Sequence, residues 1–534
     1  MPILASFAGA AWPFLAAITL LYILKRWGKR NDLPPGPPRV LFIGNAHQLP
    51  KIDQHLTFMN WAAQYGDIVY AEIFTQPVII LSSAKAAVDL MEKRGAIYSN
   101  RPHLVYFIDL IGWTGNIGFV RLNESWRRIR KWYQRAFVVR SSADSYHPIQ
   151  CREVRRFLFG LMRNPVDFEY QLKRYTAGIV FEIGYGYTVT SWDDDELIKL
   201  TEDGIRQCLI GSSTGAALVD FLPILKHLPA WLPGMGFKYA TANARKAIED
   251  MEDAPYQMAT GTAKPSLMTT LIEECSRKGP LTAEDEHDIK GATGTLYASK
   301  SFSDHVSNHA ELYLDDQRVP TRGQSMTSMI VFILVMVQYP DIFKKAQEEI
   351  TRVIGDTRLP GFGDRTSLPY LECIVREVYR WCPAATTAVP HQAAVDDVYR
   401  GYHIPKGSTI IPNLWAIFRD PDVYPDPDVF KPERFLGIDA DDDSDLKDPK
   451  KLVFGFGRRI CPGRYFADDN VWLACASMIA TMDIGKARDK HGVEITPSPK
   501  FVSGTVMRPE PFLCDIQPRS EKSRQLIIDS SAEV

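Results

Sequence analysis

Residues 454–463 read Phe454-Gly455-Phe456-Gly457-Arg458-Arg459-Ile460-Cys461-Pro462-Gly463, and no other stretch restricts the chain so tightly. Two glycines let the backbone turn sharply and approach a flat ligand closely. Cys461 stands at the mouth of a helix expected from about Gly463 to Ile484, where the N-terminal dipole stabilises an anionic sulfur. Arg459, two residues before it, suits a carboxylate on the same ligand. A Gly-rich loop around a buried cysteine is the plain alternative. It would prevail for a lone Gly-x-Gly, but not for ten residues that all serve one end.

The other seven cysteines are scattered among 534 residues and form no Cys-x-x-Cys pair. That argues against a zinc knuckle and against a disulfide framework. The main body is therefore expected to face a reducing compartment. A formal net charge of −2 gives no reason to expect nucleic acid as a partner. Residues 3–24 carry no charge and are long enough to span a bilayer, and Lys25, Arg26, Lys29 and Arg30 follow at once. Residues 1–24 are thus expected to be a single membrane anchor with the basic end in the cytosol. A cleaved signal peptide fits less well, because no positive charge precedes the apolar run. Residues 25–38, basic and then Pro-rich, read as a stiff linker. Residues 39–534, without repeats or long Gly/Ser linkers, read as one catalytic domain.

Within that domain, residues 67–81 predict two short strands around a turn at Gln76-Pro77. Helices are expected over 84–94, 124–140, most of 150–260, 325–354 with a break at Tyr339-Pro340, and 368–382. Short strands are expected over 386–413. The expectation is a mainly α fold with a small β region.

Segment 454–463 resembles the haem-binding signature of the cytochrome P450 superfamily, Phe-x-x-Gly-x-Arg-x-Cys-x-Gly. Phe454, Gly457, Arg459, Cys461 and Gly463 match every fixed position. Three further segments resemble the same family. Glu377-Val378-Tyr379-Arg380 matches its Glu-x-x-Arg, completed by the arginine of Pro432-Glu433-Arg434-Phe435. Taken alone, two charges three apart on a helix make a surface pair of little worth. In the family the set is buried, and the resemblance gives Glu377, Arg380 and Arg434 a scaffold role. Trp126-Arg127-Arg128-Ile129-Arg130 matches Trp-x-x-x-Arg, which puts Trp126 and Arg130 on a haem propionate. Arg127, Arg128 and Lys131 make the same helix basic and suit the acidic surface of a reductase. Val389-Pro390-His391 falls where the family often places a propionate-binding side chain. Gly463-Arg464-Tyr465-Phe466-Ala467 and Asp420-Pro421 look like the fungal branch of secondary and xenobiotic metabolism, as in O-methylsterigmatocystin oxidoreductase-like enzymes.

The resemblance implies haem b with Cys461 as the axial iron ligand, and electrons from an NADPH-cytochrome P450 reductase. It implies an oxidoreductase, a monooxygenase acting on a hydrophobic small molecule. The anchor then places it in the endoplasmic reticulum membrane, single-pass, with the catalytic domain in the cytosol. Substrate contacts are expected from 105–119, 384–389 and 503–506. No Gly-x-Ser-x-Gly elbow or Gly-x-Gly-x-x-Gly stands out, so neither hydrolase chemistry nor direct NADPH binding is supported.

One family motif is missing. An Ala/Gly-Gly-x-Asp/Glu-Thr run in the central helix opens room for O2, and its acid and threonine help deliver protons. The lead-in, Ile289 to Ala298, and the continuation from Gln324 are present, but residues 299–323 between them are polar and contain Pro320. Such a segment does not suit a buried helix, so a broken helix with an expelled loop is expected. Asp304, Thr293 and Thr295 are poor substitutes, and no residue is assigned to O2 activation. Retained intron sequence best explains intact flanks around a failed middle. A natural insertion that impairs the enzyme, and a shift to O2-independent isomerase or dehydratase chemistry on peroxides, remain as alternatives.

Overall fold

The computed structural model describes residues 32–189, 195–210, 214–261, 264–301, 324–438, 446–502 and 506–532. The expected anchor 1–24, the basic part of the linker, residues 302–323 and the turn 503–505 lie outside the described residues. Helices dominate, with small sheets at the margins. Five helices frame the site: α1 (Glu124–Tyr133), α2 (Ala283–Ser301), α3 (Gln324–Gln338), α4 (Pro369–Trp381) and α5 (Arg464–Thr481).

The apolar sequence of α3 makes it a core element. Every residue from Met329 to Met336 is wholly buried, and it packs on α5. Pro340 starts the next helix, Pro340–Val353, because proline fits a first turn but not a helix interior. The two helices are bent by 107°. Among the described residues no single helix is long and apolar enough to cross a membrane.

The main sheet has strands β1 (Ile68–Ile73), β2 (Gln76–Leu81), β3 (His391–Gln392) and β4 (Thr409–Pro412), in the order β1-β2-β4-β3. β1 and β2 pair antiparallel with Ile73 opposite Gln76. The turn is therefore at Phe74-Thr75, with Phe74 at φ 53°, two residues before its expected place. Gln76 and Pro77 belong to the strand; Pro77 is tolerated near its start. α5 also ends earlier than expected. Met482 begins a strand, Met482–Arg488, that pairs with Cys514–Pro518.

The Pro-rich stretch differs from a free spacer. Pro35 accepts a hydrogen bond from the Tyr70 N–H of β1 (2.9 Å), and Asn45 Nδ2 reaches the carbonyls of Pro37 and Pro38. Gly36 lies so close to the Tyr70 carbonyl that a Cβ would collide with it. Residues 35–38 are thus fastened to the body, because extended prolines leave their carbonyls free to accept.

α2 runs three residues past the expected break at 298, to Ser301. Helical structure is described again from Gln324. The expected polar loop and Asp304 fall outside the described residues.

Candidate haem-thiolate site

The Cys461 loop has little regular structure of its own. It holds one 3-10 turn, Gly457–Arg459, and one closing bond from Cys461 N–H to the Phe454 carbonyl (2.8 Å). Gly455 and Gly457 both have positive φ, at 84° and 54°. At Gly457 a Cβ would also collide with the Met91 carbonyl, so this glycine is needed against the chain's own backbone. Gly463 caps the start of α5. Burial pushes the Cys461 thiol up, while the Gly463 N–H, Arg130 and Arg464 pull against that rise.

Around this loop the fold gathers four nitrogen-bearing side chains, of which Arg101, His391 and Arg459 are buried and Arg130 is half-buried. Arg459 donates to the carbonyls of Ser99 (2.8 Å), Ile117 (3.1 Å) and Val120 (2.9 Å), and its guanidinium lies 4.5 Å from the Trp126 ring centroid. Arg130, one turn along α1 from Trp126, donates to the Ile460 carbonyl (2.6 Å). His391 Nδ1 lies 2.7 Å from the Tyr98 carbonyl. Arg101 is the fourth, donating to the carbonyls of Gly118, Val389 and Pro390 at 2.6–2.9 Å.

Among the described residues, none of these four side chains makes an ion pair with a carboxylate, and their hydrogen bonds go to backbone carbonyls. Their titration reflects this. Burial, then Arg101 and Arg459, hold His391 well below the usual histidine range. Burial, then Arg459, holds Arg101 low. Burial, then Arg130, brings Arg459 down to about 9. Arginine charges that burial and one another disfavour are stabilised by an anion placed among them. A flat group with two carboxylates and an iron for Cys461 supplies such an anion, so these residues fit haem.

The Cytochrome P450 family model matches residues 34–298 and 323–514. Cytochrome P450 monooxygenase 176 of Postia placenta is 44% identical over 523 residues, covering 97% of this chain and 96% of the relative. Cytochrome P450 monooxygenase 136 of the same fungus is 41% identical, covering 96% of this chain and 94% of the relative. Cytochrome P450 monooxygenase claR of Ampulloclitocybe clavipes is 36% identical over 519 residues, covering 96% of this chain and 91% of the relative. The chain belongs to the cytochrome P450 family. It is an oxidoreductase of the monooxygenase kind, its cofactor is haem with Cys461 as thiolate ligand, and the fungal secondary-metabolism type fits its relatives.

In this cytochrome P450 the structure joins Glu377, Arg380 and Arg434 in one buried cluster. Arg380 grips Glu377 with two bonds (2.7 and 2.8 Å), Arg434 Nε reaches the same carboxylate (3.1 Å), and the Lys431 N–H completes it (2.8 Å). Arg380 also donates to the Phe418 carbonyl (2.8 Å). Phe454 packs edge-on against Tyr379 of α4, with ring centroids 5.8 Å apart. α4 thus carries the scaffold cluster on one side and the start of the Cys461 loop on the other.

The basic face of α1 is divided. Arg127 and Lys131 are exposed, but Arg128 pairs with Asp285 (2.9 Å) and with the buried Asp288 of α2. That corrects the expectation that Arg128 faces a partner. Thr293 bonds back to the carbonyls of Ile289 (3.0 Å) and Lys290 (3.2 Å). Thr295 donates to the Gly291 carbonyl (2.7 Å) and accepts from the Ile117 N–H (3.3 Å). Both hydroxyls are engaged in fixing α2 and the 105–119 loop, as Ser and Thr within helices commonly are.

Arg101 escaped the sequence reading. It stands alone in Ser-Asn-Arg-Pro, with no partner at a helical or strand spacing to single it out.

Proposed function

We propose that this cytochrome P450 inserts one oxygen atom into a hydrophobic small molecule: RH + O2 + NADPH + H+ gives ROH + H2O + NADP+. Electrons come from a separate NADPH-dependent reductase. The observation that carries this reading is the set of arginines beside Cys461, Arg101, Arg130 and Arg459, which among the described residues have no carboxylate partner, together with the buried His391. Haem bound there supplies O2 activation, which a thiolate ligand promotes. The protein's own part is to hold the propionates through Arg130, Arg459, Trp126 and His391, with Arg101 added. It also presents the Cys461 sulfur at the helix entrance, where the Gly463 N–H, Arg130 and Arg464 favour its anion against burial, and shapes the pocket through Glu377, Arg380 and Arg434. Residues 105–119 and 384–389, largely apolar, suit a lipophilic substrate.

The uncharged run 3–24 and the basic residues after it support anchoring in the endoplasmic reticulum membrane with the catalytic domain in the cytosol. Exposed Arg127 and Lys131 on α1 suit docking of an acidic reductase. The test is turnover of lipophilic compounds by the full chain with reductase, NADPH and O2. Product formation that requires all three supports the reading, and absence of product with all three present, with added hydroperoxides only rearranged or dehydrated, contradicts it.

A second reading rests on one observation: the family model stops at 298 and resumes at 323. The skipped stretch is where the acid and threonine of O2 activation are expected. On this reading the chain binds haem but is impaired, so NADPH is consumed slowly or not at all and no product forms with either oxidant.

A further inference from the structure

The Cys461 loop has few internal supports, one 3-10 turn and one closing backbone bond, and Arg459 and Arg130 tie its middle, but not its ends, to the body. Its two ends must be placed by something else. Before the loop, the short helix Lys450–Val453 leads into Phe454. After it, α5 carries Asp468 in its second turn. Asp468 accepts hydrogen bonds from Lys450 Nζ (3.0 Å), from Tyr379 Oη of α4 (3.2 Å) and from Arg365. The Tyr379 ring is the one that packs on Phe454. A single carboxylate therefore touches the entry to the loop, its exit and the helix behind it.

The surrounding charges make this a network. Arg365 also reaches Asp469, and it reaches Glu372 at 3.2 Å, while Lys450 also reaches Glu372. Arg376 binds Asp448 (3.1 Å), whose other oxygen takes the Lys450 N–H (3.0 Å). Three cations thus face four carboxylates, with His147 further out, 3.6 Å from Asp469. Burial alone would raise the Asp468 carboxyl, but Lys450 and Arg365 outweigh it and hold it low. Removing one member of such a set leaves its partners charged and unsatisfied.

We propose that Asp468 is a positioning residue for the iron ligand: by joining Lys450, Tyr379 and Arg365 it fixes the Cys461 loop against α4. This rests on the haem-thiolate reading. A merely structural clamp would lower overall stability and leave the loop's own behaviour in proportion to that loss.

The test compares Asp468→Asn with Glu153→Gln in the full-length holoenzyme. Glu153 is also buried and paired, with Arg152 (3.2 Å) and Arg156 (2.8 Å), but outside this network. Two readouts are taken at equal loss of Tm: conversion of the reduced CO complex from the thiolate to the neutral-ligand Soret form on warming, and amide exchange across 454–463. Asp468→Asn should convert about tenfold faster than wild type, and Tyr379→Phe, which keeps the ring on Phe454, about threefold. The Cys461 N–H should exchange faster in both, and Glu153→Gln should change neither readout. Conversion and exchange in Asp468→Asn and Tyr379→Phe no faster than in Glu153→Gln would overturn the proposal. If Asp468→Asn does not fold, Tyr379→Phe and Lys450→Met decide by the same criterion. A wild-type protein without the thiolate band overturns the haem-thiolate reading itself. The exchange comparison still judges whether Asp468 fixes the loop.

Discussion

Arg101 is buried and has three backbone carbonyls for company. Carbonyl dipoles satisfy its N–H groups but do not neutralise its charge, and Arg459 nearby adds repulsion. Arg101→Met should therefore weaken haem retention by about tenfold or more, the cost of one charge-assisted bond to a buried anion. Haem transfer to apomyoglobin measures it, and retention equal to wild type would remove Arg101 from the site. Glu252 is the opposite case. Its carboxylate accepts from Trp113 Nε1 (3.1 Å) and lies against Gly294 of α2. Burial raises it to about 7, against smaller opposing effects of Trp113, His287 and Lys290. The folded state thus keeps the proton to higher pH than the unfolded chain does. Stability is unaffected below the unfolded value, falls as pH rises towards 7, and stays reduced above it. Glu252→Gln should match wild type near pH 4 and exceed it near pH 8 by on the order of 2–3 kcal/mol. Thermal unfolding at the two pH values checks this, and an advantage confined to acid pH would contradict it. Neither residue was legible beforehand, because the role of each depends on neighbours distant in the chain, Val389, Pro390 and Arg459 for Arg101 and Trp113 for Glu252.

At the scale of elements, the sequence was most readable where a pattern is local. The break at Pro340, the helix 369–381 and the pair of strands near 70–80 follow from proline chemistry and apolar periodicity. The errors lie at edges that tertiary pairing decides. The β1–β2 turn fell at Phe74-Thr75 because Gln76 pairs with Ile73. α5 stopped at Thr481 because Met482 pairs with Pro518. The Glu-x-x-Arg helix shows what spacing leaves unsaid. Two charges three apart predict a shared face, but only the fold determines that both are fully buried and that Arg434 joins them. Burial changes the magnitude. Glu377→Ala strands two guanidinium groups and should cost about 3–5 kcal/mol. Denaturant unfolding of the apoprotein measures this, and a loss below 1 kcal/mol would return the set to the status of an ordinary surface pair.

At the scale of the whole molecule, the relatives match from end to end, whereas the family model omits residues 299–322. If that stretch displaces the oxygen-activating acid and threonine, replacing 299–323 with a short Gly-x-Asp-Thr motif should raise NADPH-dependent turnover and leave haem binding intact. Unchanged turnover would mean that residues 299–323 do not limit the chemistry. Both arguments presuppose the claim made first from ten residues, that Cys461 holds haem iron as a thiolate. The reduced, CO-bound spectrum of the full-length protein tests it most directly. The account predicts the red-shifted Soret band of thiolate-ligated iron, lost in Cys461→Ser. A Soret band of neutral-ligand haem, or no bound haem, would contradict it.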